Sequence, residues 1–279
     1  MLYRQLSPAP ALRPYIRCYW TLRADATGDA GAQRVLPDGC VEIIINLGAR
    51  FIRHDASGSA ERQPLELVVG PTTRHMTIAP SGAIRLVGVR FAPGGAVPFL
   101  SVAPQELRDA APSLADVASP LIGAVAERLA VAPSGAEGSV LDAALGARLA
   151  RARRLPDHRV LASVRAARAS VRPLRVDALM SLTGLGARQL ERTFRDHVGF
   201  GPKTLCRLVR FQRVVRVIEP RIRTVWARLA AQHGYADQSH LAREFREFAG
   251  TNLTSYLREL HPMSDHFHDA PGADEPPLD

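Results

Sequence analysis

Residues 188–195 read RQLERTFR and residues 239–246 read SHLAREFR, a spacing of 51. Arg192 and Arg243 are counterparts, as are Arg195 and Arg246, Leu190 and Leu241, Phe194 and Phe245. At helical spacing the Leu and Phe of each stretch share one side. The other side then carries Arg188, Gln189, Glu191, Arg192 and Arg195 in the first stretch. In the second it carries Gln238, Ser239, His240, Arg243 and Arg246. These side chains suit the edges of base pairs: Arg bonds guanine bidentately, Gln bonds adenine, and small polar groups bond either. The same types cover ordinary solvated helices, so one face alone says little. Two copies of the face argue for a reader.

Each copy needs a scaffold that presents it. Val176, Leu179 and Met180 recur as Trp226, Leu229 and Ala230 at a spacing of 50, an inward stripe on a preceding helix. Gly184 and Gly234 stand where such a helix ends in a left-handed residue. Asp237 is placed to cap the helix after the second turn. Two helices joined by a short Gly-containing turn make a helix-turn-helix, here twice. A helix over residues 203–218, with Leu205, Leu208, Val209, Val215 and Ile218 inward, connects the units.

Charge follows the same division. Residues 1–150 hold 14 Arg against 13 acidic residues, residues 151–261 hold 22 Lys+Arg against 9, and residues 262–279 hold five acidic residues with no Arg or Lys. Codon bias explains why Arg replaces Lys; it does not explain why acidic residues thin out in the middle block. A concentrated positive block fits a polyanion, whose counterions are released on binding. Lys203, Arg207, Arg210, Arg221 and Arg223, with Arg153 and Arg154, are the expected phosphate contacts.

The N-terminal part reads differently. Short apolar runs at 41–46, 65–69 and 84–91 are bounded by Pro37-Asp-Gly, Gly70-Pro and Pro93-Gly-Gly turns. They suggest a small barrel or sandwich. From about residue 105 to 154 the pattern turns helical, and residues 151–156 (RARRLP) mark the expected boundary. The fold class is therefore α+β in two domains. Residues 1–150 are expected to form a β-rich domain with C-terminal helices, and residues 262–279 an acidic, disordered tail.

Enzymatic alternatives were weighed on the same residues. A metal site in the β-rich half needs converging histidines, but residues 1–150 offer only His54 and His75. His266 and His268 have metal-like spacing but lie in the acidic tail. Cys40 follows a turn that could expose a nucleophile, yet no basic neighbour in sequence lowers its pKa. Cys18, Cys40 and Cys206 are odd in number and far apart, fitting neither a disulfide framework nor a zinc ribbon. Tyr15, Tyr19 and Trp20 read as core ahead of ligand pocket. The expectation is no enzyme, no catalytic or metal residue and no cofactor. A metal- or cysteine-dependent enzyme fused to a DNA-binding module is the alternative. With no apolar run of membrane length and no leader pattern, the expected setting is cytoplasmic.

Residues 234–246 (GYADQSHLAREFR) with Gly250 and Tyr256 resemble the signature of the AraC/XylS family of transcription regulators. Residues 184–195 (GLGARQLERTFR) with Gly199 and Pro202 resemble its looser first motif. With the preceding helix at 158–171 the resemblance covers about 157–260. It implies a seven-helix domain with two helix-turn-helix units, binding double-stranded DNA to activate or repress transcription. It further implies RNA polymerase as a partner, a small-molecule effector and a homodimer. Three positions depart from the pattern: Leu253 for a proline, Gly186 for a serine cap, and Met180 for a small residue. Tyr19-Trp20, residues 35–40, 69–71 and 88–95 resemble a β-rich, cupin-like domain attached to some members, which implies that residues 1–150 sense a signal or form dimers.

Overall fold

The structure is a computed structural model that describes residues 1–25, 31–54, 59–118, 124–170, 172–218 and 226–259. Among the described residues, nine strands form two antiparallel sheets: β1 (Leu2–Leu6), β2 (Ile16–Ala24), β3 (Gln33–Val35), β4 (Glu42–Asn46), β5 (Phe51–His54), β6 (Ala60–Arg62), β7 (Glu66–Val69), β8 (Met76–Pro80) and β9 (Ile84–Phe91). One sheet runs β1-β2-β9-β4-β7 and the other β3-β8-β5-β6. Among the described residues the strands build a sandwich, one of the two expected forms, rather than a closed barrel.

Alternation along the central strands explains the layers. Trp20 and Leu22 on β2 and Ile84 and Leu86 on β9 face Phe51 and Ile78 of the second sheet. Trp20 lies opposite Gly88, where any side chain would collide with the indole. The other face, with Tyr19, Ile43, Ile45, Val87, Val89 and Phe91, packs on three helices: α1 (Leu114–Val117), α2 (Val125–Val131) and α3 (Glu137–Ala150). Tyr19 donates to Asp142 Oδ1 at 2.8 Å, fixing α3 to the sheet. Tyr19 and Trp20 are therefore core residues, as the aromatic pattern suggested.

Among the described residues, seven helices follow: α4 (His158–Ala169), α5 (Val176–Thr183), α6 (Ala187–Val198), α7 (Pro202–Val217), α8 (Trp226–Gln232), α9 (Gln238–Ala249) and α10 (Leu253–Glu259). Their core centres on Phe194, Phe211, Phe245 and Phe248, all at most 1% exposed. Arg213 of α7 is buried and donates to Ala167 O at 2.9 Å and to Ser170 O, closing the C-terminal end of α4. The expected bounds of α4 and α7 differ from the observed ones by a residue or two at their ends.

The charge division suggested two separable halves, but packing joins them. Leu36 belongs to the helical core. Gln212 Nε2 of α7 donates to Pro37 O at 2.6 Å, and Gly39 lies against the Phe200 ring.

Candidate nucleic-acid interface

In the first unit, α5 ends at Gly184, whose φ of 67° is left-handed and whose N–H donates to Met180 O at 2.8 Å. Helix α6 starts from Gly186 in extended backbone, with no side-chain cap. Leu190, Phe194 and Val198 bury its inner face, while Arg188, Gln189, Arg192 and Arg195 are exposed. Glu191 is half-buried, pairs with Arg195 at 2.8 Å and reaches Gly201 at the start of α7. It turns toward the protein more than the other residues of the expected face.

The second unit repeats the plan with stronger local contacts. Gly234 has φ 73°. Asp237 Oδ1 accepts from the His240 N–H at 2.6 Å, the cap expected from its position. Gln238, Ser239, Arg243 and Arg246 are exposed; His240 is half-buried, edge-on to Tyr235 at 5.3 Å. Leu253 begins α10 as Pro202 begins α7, and Asn252 Oδ1 caps that helix through Ser255 N–H at 2.9 Å. The missing proline is thus replaced by a side-chain cap.

Glu244 was not singled out from the sequence. It is 3% exposed and accepts from Arg207 Nε at 2.8 Å and Arg210 Nη2 at 2.7 Å. Burial alone would raise its carboxyl, yet hydrogen bonds from Arg210 and Arg207 hold it below its ordinary value. Arg207 also donates to Glu247 Oε2 at 2.5 Å, and Arg210 stacks on Tyr235, 4.3 Å from the ring centre. The signal was present: Glu244 sits at the inward spacing of Leu241 and Phe248, where a lone carboxylate demands a partner.

Between the units lies an open trough of about 1220 Å³, lined by Lys203, Arg207, Arg210, His240 and Arg243 together with Arg172 and Arg175. Lys203 is exposed, whereas Arg207 and Arg210 spend part of their charge on Glu244. Arg221 and Arg223 lie outside the described residues, as do His266, His268 and the acidic tail. Arg153 and Arg154 are exposed, and Arg154 reaches the Asp196 carbonyl at 3.4 Å.

The β-rich half contacts both α6 and α9 at their C-terminal ends. Arg34 Nη1 donates to Ala249 O at 2.8 Å and the His75 N–H to Phe248 O at 2.8 Å, with the imidazole against Gly250. A cation at that end suits the helix dipole. On the first unit, Pro71 and Pro104 close on Gly199, and Gln105 Nε2 donates to Asp196 Oδ1 at 3.2 Å. None of these contacts was legible in the sequence.

The groups considered for chemistry are placed as follows. Cys40 is buried; desolvation, aided by Asp38, pushes its thiol up to about 12, so it stays protonated at neutral pH. His54 ends β5, and His75 belongs to the contact just described. Among the described residues, no group of three His, Cys, Asp or Glu is placed to hold a metal ion, and no helix is long and apolar enough to cross a membrane.

Residues 179–259 match a family described as a helix-turn-helix domain. The C-terminal part of the chain therefore carries a helix-turn-helix domain of the AraC type. The β-rich half matches, over residues 4–113, a family described as a domain of unknown function (DUF6597). No curated protein matches the chain. Among solved structures, it is similar to ToxT from Vibrio cholerae, with 7% identity and a TM-score of 0.48, over 93% of this chain and 99% of that one. Unsaturated fatty acid bound ToxT from the same organism matches at 10% identity and TM-score 0.44, over 87% and 94% of the chains. A probable AraC family transcriptional regulator from Rhodopseudomonas palustris matches at 23% identity and TM-score 0.34, covering 38% of this chain and all of that one.

Proposed function

We propose that this regulator binds double-stranded DNA sequence-specifically by placing α6 and α9 in successive major-groove segments, about one helical turn or roughly 34 Å apart on one face of the duplex. The observation that carries the reading is the repeated face: Arg188, Gln189, Arg192 and Arg195 on one recognition helix, and Gln238, Ser239, Arg243 and Arg246 on the other, all exposed. His240 and Glu191, each half-buried, complete the sets. Base contacts come from the N-terminal residues of each helix. Lys203, Arg207, Arg210, Arg221 and Arg223 contact phosphate.

The N-terminal half controls this reader, because its side chains hold the C-terminal ends of both recognition helices. The controlling signal is a small-molecule effector, the assembly a homodimer, and the transcriptional outcome follows from contact with, or obstruction of, RNA polymerase in the cytoplasm.

Selection of operators in vitro with the full chain tests the reading. The expected product is a bipartite site, bound with an affinity that falls steeply with salt because phosphate neutralisation releases counterions. Affinity that stays flat between low and physiological salt would overturn it. In that case the basic helices serve acidic proteins instead.

A further inference from the structure

A cavity of about 440 Å³ opens between the strand sandwich and α4, the first helix of the DNA-binding half. That size falls within the roughly 300–1,000 Å³ of small-molecule sites. Five of its lining residues are arginines: Arg13, Arg17 and Arg90 from the sandwich side, Arg165 and Arg168 from α4. Among the described residues lining it, none is acidic. The remaining wall is largely apolar, with Ile16, which is buried, facing Leu161 and Val164 of α4.

Two carboxylates that do not line the cavity, Glu42 and Asp38, pair with Arg90. Arg90 is 3% exposed; its Nε bonds Glu42 Oε1 and lies 3.8 Å from Asp38 Oδ2. Asp38 in turn feels Arg17 and Arg168 across the same space. Five guanidinium side chains therefore line the cavity, while Asp38 and Glu42 do not. A guanidinium cluster over an apolar wall recognises a carboxylate or similar monoanion, bidentately, and accommodates its hydrocarbon body.

We infer that the cavity between Arg17 and Arg90 on the sandwich and Arg165 and Arg168 on α4 is a binding site for an organic anion with an apolar body, whose occupancy adjusts the DNA-binding half. This rests on the reading of the N-terminal half as the controlling domain and supplies the chemistry of its effector.

The path from site to reader is short. Asp38 belongs to the turn at residues 36–39. Its neighbours on that turn are Leu36, buried in the helical core, and Pro37, whose carbonyl accepts from Gln212 of α7. Gly39 completes the turn with φ +74°, against Phe200 at the end of the first unit. An anion that draws Arg17, Arg90 or Arg168 toward the cavity weakens their hold on Asp38, and the turn that braces the linker helix shifts with it. A ligand alters the equilibrium only by binding the two arrangements unequally. A site built half from the sandwich and half from α4 meets that condition, because relative movement of the halves changes its shape.

The experiment uses the full chain with four named carboxylates and their neutral amides: benzoate and benzamide, phenylacetate and phenylacetamide, 4-phenylbutyrate and 4-phenylbutyramide, indole-3-acetate and indole-3-acetamide. Inorganic sulfate serves as an anion without an apolar body. Binding is read by calorimetry, and operator affinity by fluorescence anisotropy on the same preparation. At least one carboxylate should bind, its amide and sulfate should not, and operator affinity should change on saturation. Arg168→Gln should weaken carboxylate binding by about tenfold, as expected for loss of one charge-assisted hydrogen bond. Arg165→Gln, at an exposed position of α4, gives a second reading should the first variant fail to fold. Arg62→Gln, exposed on β6 away from the cavity, should change nothing. Equal binding of amides, undiminished binding in both α4 variants, or no binding by any carboxylate at millimolar concentration overturns the inference. Operator binding without ligand separates the two readings: if it persists while the carboxylates fail, only the effector site is wrong; if it is absent, the DNA reading fails first.

Discussion

The two helix-turn-helix units share a plan but not a means of support. Helix α6 of the first unit is held by apolar packing of Leu190, Phe194 and Val198, starts without a cap, and carries Glu191 near the surface in a pair with Arg195. The second starts on Asp237 and is tied to the linker helix through a buried carboxylate that takes hydrogen bonds from two arginines. A duplicated motif can therefore preserve an exposed reading face while its inner contacts diverge. The second unit is oriented by directional bonds to α7. Apolar contacts, which are non-directional, leave the first more dependent on the sandwich residues packed against its far end.

That contrast is broken most severely at Glu244. In Glu244→Ala, Arg207 and Arg210 remain largely buried without their acceptor, and removal of one member of a buried pair costs about 3–5 kcal/mol. Because Arg207 keeps Glu247 and both arginines retain some exposure, about 2–4 kcal/mol is expected by denaturant unfolding. The matched change, Glu191→Ala, removes a surface pair and should cost about 0–1 kcal/mol. Similar losses from both substitutions would show that the units are supported alike.

Next in size come the base-reading substitutions. Arg188→Ala and Gln189→Ala should relax preference in one half of the selected operator, and Gln238→Ala and His240→Ala in the other, each costing about 1–3 kcal/mol at its own base pair. Arg195→Ala and Arg246→Ala, farther along their helices, should weaken all sequences alike and shallow the salt slope. If both reading sets alter the same half, only one unit reads bases and the duplication is structural. These measurements use selected DNA libraries with each variant.

The units were legible because their information is local. Repetition at a fixed spacing, 3.6-residue periodicity and turn glycines all act over a few residues, and strands β4, β7 and β9 announced themselves by apolar runs between turns. The strands that escaped notice, such as β3 and β8, are short or mix polar residues into a half-exposed edge. Leu36 escaped for a different reason. Its neighbours Pro37, Asp38 and Gly39 read correctly as a turn, but no local pattern states that a turn from the sandwich enters a helical core more than a hundred residues away. The grip of Arg34, His75 and Gln105 on α6 and α9 is likewise a long-range fact. For the same reason, an isolated fragment of residues 151–279 would lose the Leu36 plug, which the charge division alone does not disclose.

His75 gives a smaller, pH-dependent difference between the units. Burial, then the Arg34 and Arg74 charges, lowers its pKa from 6.5, so the neutral imidazole is favoured against Gly250. A histidine lowered on folding contributes fully above its unfolded value and progressively less as pH falls through 6.5 toward the folded value. The contact at the second unit should therefore loosen on mild acidification, while the Pro71, Pro104 and Gln105 contact on the first should not. Hydrogen exchange of the C-terminal turns of α6 and α9 between neutral and mildly acidic pH reads both at once. His75→Gln should abolish the difference; equal acid response at both helices would assign it to something shared.

The smallest effect is also the most direct test of unequal support, because it tries to make the first unit resemble the second. Asp237→Ala removes the side chain that accepts the His240 N–H and should cost about 1 kcal/mol, the ordinary value of an N-cap. Gly186 occupies the corresponding start of α6 with φ −67° and ψ 158°, extended backbone that any L-residue adopts, and no atom stands within 4 Å of where its Cβ would be. Serine fits there without strain, and its hydroxyl can accept from the N–H groups of the first turn. Glycine is itself a tolerable cap, so Gly186→Ser should stabilise the chain by only a few tenths of a kcal/mol. The gain should appear as slower amide exchange in the first turn of α6, with the rest of the domain unchanged. If Gly186→Ser instead destabilises the protein or weakens operator binding, the uncapped start serves close approach of the backbone to DNA, and the difference between the two units is functional rather than tolerated.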